Sequence, residues 1–293
     1  MNKPVYKLRN WIHEDELDNY MLSQNPKAID YLKQKREKLC YLSLSINSNG
    51  IEILEKNPSD ICWIVLSGNK NAMHLLKNNK KKIDWDVLSS NENAIELLEQ
   101  NKRKINWSHL SANPNAITLL EKNQKLINWY SLSGNPNAIH LLKNNPDKIN
   151  WYKLSGNPNA IEILKNNKDK IIWHALSQNP NAIELLEENI DKINWKCLSL
   201  NPNAINLLRA YPEKIHWQEL SENEGAIDLL KENPDKIVWF SISLNSAIFE
   251  LDFEQMKKNI KPLHEELLEV VLHPDRLQMY KEKYEFNMSD LFY

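Results

Sequence analysis

The sequence predicts an all-α protein: an α-solenoid of about eleven 22-residue helix–turn–helix repeats with atypical capping segments at its ends. Three observations carry this. Tryptophan recurs every 22 residues, at Trp63, Trp85, Trp107, Trp129, Trp151, Trp173, Trp195, Trp217 and Trp239, and Tyr41 holds the same register one unit earlier. A Leu/Ile-Ser-x-Asn column keeps the same period in eleven copies, from Leu22 to Ile242. After it runs Asn-Pro-Asn-Ala-Ile-x-Leu-Leu, whose apolar residues fall at helical spacing.

In chain order, residues 1–16 read as an N-terminal cap in which Trp11 can cover the first unit. Residues 17–250 are the repeats. In the unit from Ile149 to Lys170, Asn150 caps a first helix of about six residues, with Trp151 and Leu154 on one face. Asn157 then caps a second helix of about nine residues, and Pro158 takes its first position, where a missing N–H costs nothing. Ala160, Ile161, Ile163 and Leu164 form the apolar stripe. Asn167 is placed to take the left-handed conformation at the helix end, and in other units Pro146, Pro212 and Pro234 block continuation just beyond it.

Helices this short are unstable alone. Stacking neighbouring units builds the continuous core that one unit cannot enclose. Leucine-rich repeats share this repeat length, but their strand needs Leu-x-Leu alternation, which is absent between Trp151 and Asn157. An open stack of eleven units at about 8–10 Å each gives an elongated body on the order of 100 Å long.

Residues 251–293 read as a C-terminal helical cap and tail. Register is lost after Ala247. Leu263–Leu272 reads as a helix, His273-Pro274 breaks it, Asp275–Tyr284 reads as another helix, and a polar-aromatic tail runs from Glu285 to Tyr293.

Composition narrows the function. The net charge of −2 gives no global pull toward nucleic acid or an anionic membrane. No apolar run is long enough to span a membrane, and no secretion signal is visible. Three cysteines, Cys40, Cys62 and Cys197, are too few and too odd for a disulfide framework and fit a reducing intracellular compartment.

Units of the form N-W-x-x-L-S-x-N-P-N-A-I-x-L-L-x-x-N-P-D-K-I resemble the tandem-repeat proteins encoded by giant DNA viruses. The resemblance spans roughly residues 5–285, including Lys7-Leu8-Arg9-Asn10-Trp11-Ile12 before the repeats and His273-Pro274-Asp275-Arg276-Leu277 after them. Lys70, Glu92 and Glu224 depart from it by replacing the proline, and Tyr211 by replacing the helix-ending Asn. The resemblance implies a viral protein in a host cytoplasm and brings no assigned activity with it.

Catalysis needs different groups converging on a pocket, whereas a repeat presents like groups in ladders. His74 and His140 share a register three units apart, and no metal-ligand spacing or phosphate loop occurs. No catalytic, metal or cofactor residue is therefore expected. The one enzymatic alternative is a pocket within Leu263–Tyr293 using His264, Glu266 and His273. Cys40 and Cys62, equivalent in adjacent units, read as buried or half-buried thiols. The Trp column reads as core, with Trp151 wedged between units, and the Asn columns read as caps.

Two surfaces remain. The residue after Trp varies along the chain as Asp86, Ser108, Tyr130, Tyr152, His174, Lys196, Gln218 and Phe240. A partner face would use Tyr130, Tyr152, His174, Lys196 and Phe240. A second varying column, from His74 through Glu96, Thr118, His140, Glu162, Glu184 and Asn206 to Asp228, lies on the second helices. Lys80, Lys81 and Lys82 share a loop with Lys102, Arg103 and Lys104 one unit on, either as a solvated edge or as an anion-binding patch. The expectation is a scaffold for a protein partner, with polyanion binding through Lys80–Lys104 as the alternative.

Overall fold

A computed structural model describes residues 4–271, with side chains as far as Pro262 in the last helix, together with residues 273, 276 and 279. The chain forms two compact units: Leu8–Phe249, and a smaller one made from the residues on either side of it. The larger unit is an all-α repeat solenoid.

The repeat containing Trp151 shows how each unit is made. Asn150 is extended, and its side-chain oxygen accepts from the backbone N–H of Lys153 at 3.0 Å, starting the first helix Trp151–Ser155. Asn157 accepts from Asn159 N–H at 3.0 Å and opens a 3-10 turn, Pro158–Ala160, which runs into the second helix Ile161–Lys165. The expected nine-residue helix is thus a tight turn followed by about one and a half turns of α-helix. A further 3-10 turn, Lys168–Lys170, leads to the next unit.

One expected cap is different. Asn167 has φ −139°, outside the left-handed region. Its side-chain amide instead reaches back to the Ile163 carbonyl at 2.9 Å, so an orphan carbonyl of the helix end is satisfied by a side chain. The same bond recurs from Asn145 to Leu141 and from Asn189 to Leu185.

Leu154, Ala160 and Leu164 are fully buried, as are their equivalents along the array. So are the polar Ser155 and Asn157. Ser155 Oγ donates to Trp151 O at 2.7 Å and accepts from Ile172 N–H of the following unit at 3.0 Å. Asn157 Nδ2 donates to two carbonyls of the preceding unit, Ser133 at 3.1 Å and Asn135 at 3.0 Å. The Leu/Ile-Ser-x-Asn column is therefore the bolt between units. Apolar burial holds each joint, and fully satisfied buried polar groups fix its angle.

That bolt also closes the array. Asn25 Nδ2 of the first unit donates to Ser243 O and Asn245 O of the last, both at 3.1 Å. Asp18 N–H donates to Ser243 Oγ at 2.8 Å. These are the bonds made at every internal joint, so the first unit sits on the last as any unit sits on its predecessor. Leu8–Phe249 is a closed ring, turning about 33° per unit for eleven units.

The expected elongated body is corrected on this point. Successive first helices pack directly on one another, as Trp129–Ser133 on Trp151–Ser155 and Trp151–Ser155 on Trp173–Ser177, and so do successive Pro-Asn-Ala turns. Second helices stand further apart and are bridged by long side chains such as Lys143 to Glu162. Closer spacing on one side curves the stack. The first helices line the inner circumference, and the second helices the outer.

The segment before the repeats seals the joint. Arg9 N–H donates to Ile248 O at 2.9 Å and Arg9 Nε to Ala247 O at 2.7 Å. The His13 ring stands edge-on to Trp239 at 5.5 Å, and Tyr31 meets Phe249 at 6.1 Å. Instead of covering a free end of the first unit, this segment reaches the last one. After Ser246–Ile248 the chain runs extended where other units have a second helix, because Ile248 and Phe249 replace the Ala and Ile that begin it.

Tyr6–Leu8 and Phe249–Leu251 form a two-stranded ladder that the repeat pattern does not announce. In the smaller unit Asp252 N–H donates to Val5 O at 2.9 Å, and Asp252 Oδ1 accepts from Gln255 N–H at 3.0 Å at the start of the helix Phe253–Val271. This helix starts ten residues before the expected Leu263 and carries Pro262 inside it, where the sequence placed a boundary. It ends before His273-Pro274, as expected. The second helix expected over Asp275–Tyr284 and the tail Glu285–Tyr293 lie outside the described residues, apart from residues 276 and 279. No described helix is long and apolar enough to cross a membrane.

Candidate functional site

The residue after each tryptophan is the second residue of a first helix, on the side opposite the buried Leu that packs toward the second helix. It therefore faces the inside of the ring. Tyr130, Tyr152 and Phe240 are 52%, 46% and 50% exposed there, and His174 and Lys196 are exposed in the same register. The five residues expected to make a partner face thus share one surface. Three more residues, absent from the expected face, stand exposed in the same register of the first three units: Tyr20, Leu42 and Ile64. Counting back from Asp86 by 22 would have found them.

Closure also sets their order. Phe240 of the last unit neighbours Tyr20 of the first, so Phe240, Tyr20, Leu42 and Ile64 occupy four consecutive units. Ile46, one helical turn beyond Leu42, is exposed beside them. Asp86 and Ser108 follow, then Tyr130 and Tyr152, then His174, Lys196 and Gln218. The lining alternates between apolar and polar arcs.

Four residues of this column meet the third residue of the next first helix. Lys153 Nζ lies 5.1 Å from the centre of the Tyr130 ring. Ser108 Oγ and Ser131 Oγ are 3.3 Å apart. Cys197 Sγ lies 3.6 Å from both ring nitrogens of His174, and burial pushes its thiol pKa up, which leaves it protonated. Lys196 Nζ is 3.2 Å from Glu219, which His216 Nδ1 also contacts at 2.6 Å. Burial works against the Glu219 charge, but these hydrogen bonds outweigh it and hold the carboxyl below the usual range.

Gly134 and Gly156 stand at the inner end of their first helices with ordinary right-handed backbone, φ −86° and −83°. Other units carry Gln178, Leu200 or Glu222 there. The missing side chains leave a hollow of 270 Å³ beside Tyr152 and Lys153, floored by Ala175. Its trace in the sequence is the pair of glycines at equivalent positions of adjacent units.

No family model, curated protein or solved structure matches this chain.

The anion patch has a different local structure from the one expected. Lys80–Lys82 and Lys102–Lys104 are exposed 3-10 turns in adjacent units. Lys82 Nζ stacks over Trp63 at 4.5 Å and Lys104 Nζ over Trp85 at 4.3 Å. Lys148, Lys170 and Lys192 stack likewise on Trp129, Trp151 and Trp173. The last lysine of each turn thus covers the tryptophan of its own unit, leaving Lys80, Lys81, Lys102 and Arg103 as the open cations of the patch. The tryptophans are half-buried under these lysines, so Trp151 is an edge of the core and not its centre.

Five residues of the varying column on the second helices, His74, Glu96, His140, Glu162 and Glu184, form ion pairs between units. His74 meets Glu55 at 2.6 Å, Lys77 meets Glu96 at 3.2 Å, His140 meets Glu121 at 2.9 Å and Lys143 meets Glu162 at 2.6 Å. Lys143 and Lys165 hold Glu162 and Glu184 below the usual carboxylate range. Exposed pairs of this kind contribute little each. Cys40 and Cys62 are half-buried free thiols. Among the described residues, no group of three His, Cys, Asp or Glu side chains converges as a metal site. His264 and Glu266 of the enzymatic alternative lie where side chains are not described.

Proposed function

We propose that this chain is a non-enzymatic binding scaffold that holds a protein partner against the inner face of its ring. One observation carries the reading. Large apolar side chains stand exposed at a single helical position, at Phe240, Tyr20, Leu42, Ile64, Tyr130 and Tyr152, while buried polar groups nearby are spent on joints between units. Contiguous exposed apolar groups mark interaction sites, and aromatic anchors dominate binding energy. A repeat also offers ladders of like groups, which suits recognition better than catalysis.

Polyanion binding through Lys80, Lys81, Lys102 and Arg103 is the lesser reading, since Lys82 and Lys104 are held on tryptophan rings. The test is capture of partners from native or infected cells. Leu42→Arg with Tyr152→Arg should abolish capture, and Thr118→Arg on the outer face should leave it intact. Capture that survives the first pair and is lost with the second would move the site to the outer face.

A further inference from the structure

We infer that the occupant of the ring is a single amphipathic α-helix of low net charge. This rests on the reading of the inner face as the binding surface and goes on to name what the face holds. Eleven first helices spaced about 8–10 Å apart trace a circle about 30 Å across, which leaves roughly 15–20 Å between facing side chains. One α-helix with its side chains is about 10–12 Å wide. The opening therefore suits one helix and its contacts, and is too narrow for a folded domain.

The charge of the lining selects the chemistry. Lys153 and Lys196 are its lysines, and Asp86, Glu219 and Glu222 its acids, with Lys196 neutralised by Glu219. Such a lining has no field for a polyanion and no strong preference for a basic segment. It is also divided. Phe240, Tyr20, Leu42 and Ile64 make an apolar arc over four units, which spans the ring closure, and the polar arc of His174, Lys196 and Gln218 adjoins it where Gln218 meets Phe240. A helix with one apolar stripe matches that division, its stripe on the arc and its polar face toward His174, Lys196 and Gln218 on one flank and toward Tyr130 and Tyr152 on the far side, whose phenols take polar partners. The hollow left by Gly134 and Gly156, on a separate part of the lining, can take one large side chain from the polar margin of such a helix.

The experiment uses the full chain and a labelled synthetic peptide of about 18 residues, about five turns of helix. The peptide is built from Leu, Ala and Gln with one Lys and one Glu, with Leu at i, i+3, i+4 and i+7. A second peptide carries two central prolines that prevent the helix. Fluorescence anisotropy should show binding of the helical peptide, weakened at least about tenfold by Leu42→Asp with Ile64→Asp. Leu126→Asp, at an exposed apolar residue of a connecting turn, should leave it unchanged. Gly156→Leu adds a side chain where a Cβ meets only ordinary contacts, so it should fold normally and alter the affinity. Circular dichroism establishes that every variant is folded. Equal binding of the proline peptide overturns the inference in favour of an extended occupant and leaves the inner-face reading standing. Failure of the helical peptide to bind, or binding indifferent to Leu42→Asp with Ile64→Asp, overturns the inference. The inner-face reading falls as well only if Leu42→Arg with Tyr152→Arg also spares capture of native partners.

Discussion

The side-chain amide of Asn25 donates to the carbonyl of Asn245, 220 residues away, at 3.1 Å. Asn135 makes the same bond to Asn113, 22 residues away, at 2.9 Å. In an open array the first unit would have no predecessor, and Asn25 would face water. In the ring it is one joint of eleven. Asn25→Ala removes the donor for two buried carbonyls, at a cost of about 1–3 kcal/mol for each group left unsatisfied. The expected loss equals that of Asn135→Ala. Chemical denaturation of both variants checks this, and a near-neutral Asn25→Ala would contradict closure.

Trp151 and Lys170 give a second test. The ring is half-buried with the ammonium 4.8 Å above its centre. Trp151→Ala should therefore cost less than the roughly 3–5 kcal/mol of a wholly buried ring. Lys170→Ala should cost about 0.5–1 kcal/mol, nearly all of it absent when Trp151 is already alanine. A double-mutant cycle measures that coupling. Additive losses would mean the stacking contributes nothing. Lys82→Ala should likewise lower stability through Trp63, while Lys81→Ala should not.

Glu219 supplies a pH dependence. Its folded pKa lies below the ordinary 4.5, despite burial, through Lys196 and His216. A carboxyl of that kind stabilises the fold fully above its unfolded pKa, and the stabilisation is lost as pH falls through the folded value. Glu219→Gln should be less stable than the parent by about 1 kcal/mol or less at pH 7, since Lys196 and His216 remain in contact with water. The gap should narrow below about pH 4.5. Melting curves from pH 3 to 7 follow it, and a gap constant with pH would remove the charge from the account.

Much of this was legible because one unit explains itself. Asn150, Pro158 and Leu164 fix the helix starts and the core from local chemistry, and repetition removes doubt about the register. Closure was not legible, because it depends on the small difference in spacing between first and second helices, which no single unit's residue pattern encodes. Nor was the second duty of Asn157, whose amide bolts to Ser133 and Asn135, since a cap and a cap that also reaches its neighbour look alike in sequence. The inner face was half legible. Tyr130, Tyr152 and Phe240 share a register, but only closure makes Phe240 and Tyr20 neighbours.

Circular permutation tests closure most directly. Arg9 N–H bonds to Ile248 O, so the chain enters and leaves the ring side by side on antiparallel strands. A two-residue Asn-Gly turn joining Leu251 to Tyr6 should therefore make a β-hairpin without strain. New ends can be opened in any exposed connecting turn, and Lys168–Lys170 is suitable because its residues are exposed and none of the joint bolts passes through it. In a ring, every joint survives this operation. The seam becomes an internal joint, and Asn179 still bolts the unit after the cut to Ser155 and Asn157. In an open solenoid the same link would have to span the length of the array, which two residues cannot reach. The permutant should keep the parent's helical dichroism and one cooperative unfolding transition. A permutant that is unfolded, or that folds only as a domain-swapped oligomer, would show that the ends do not meet.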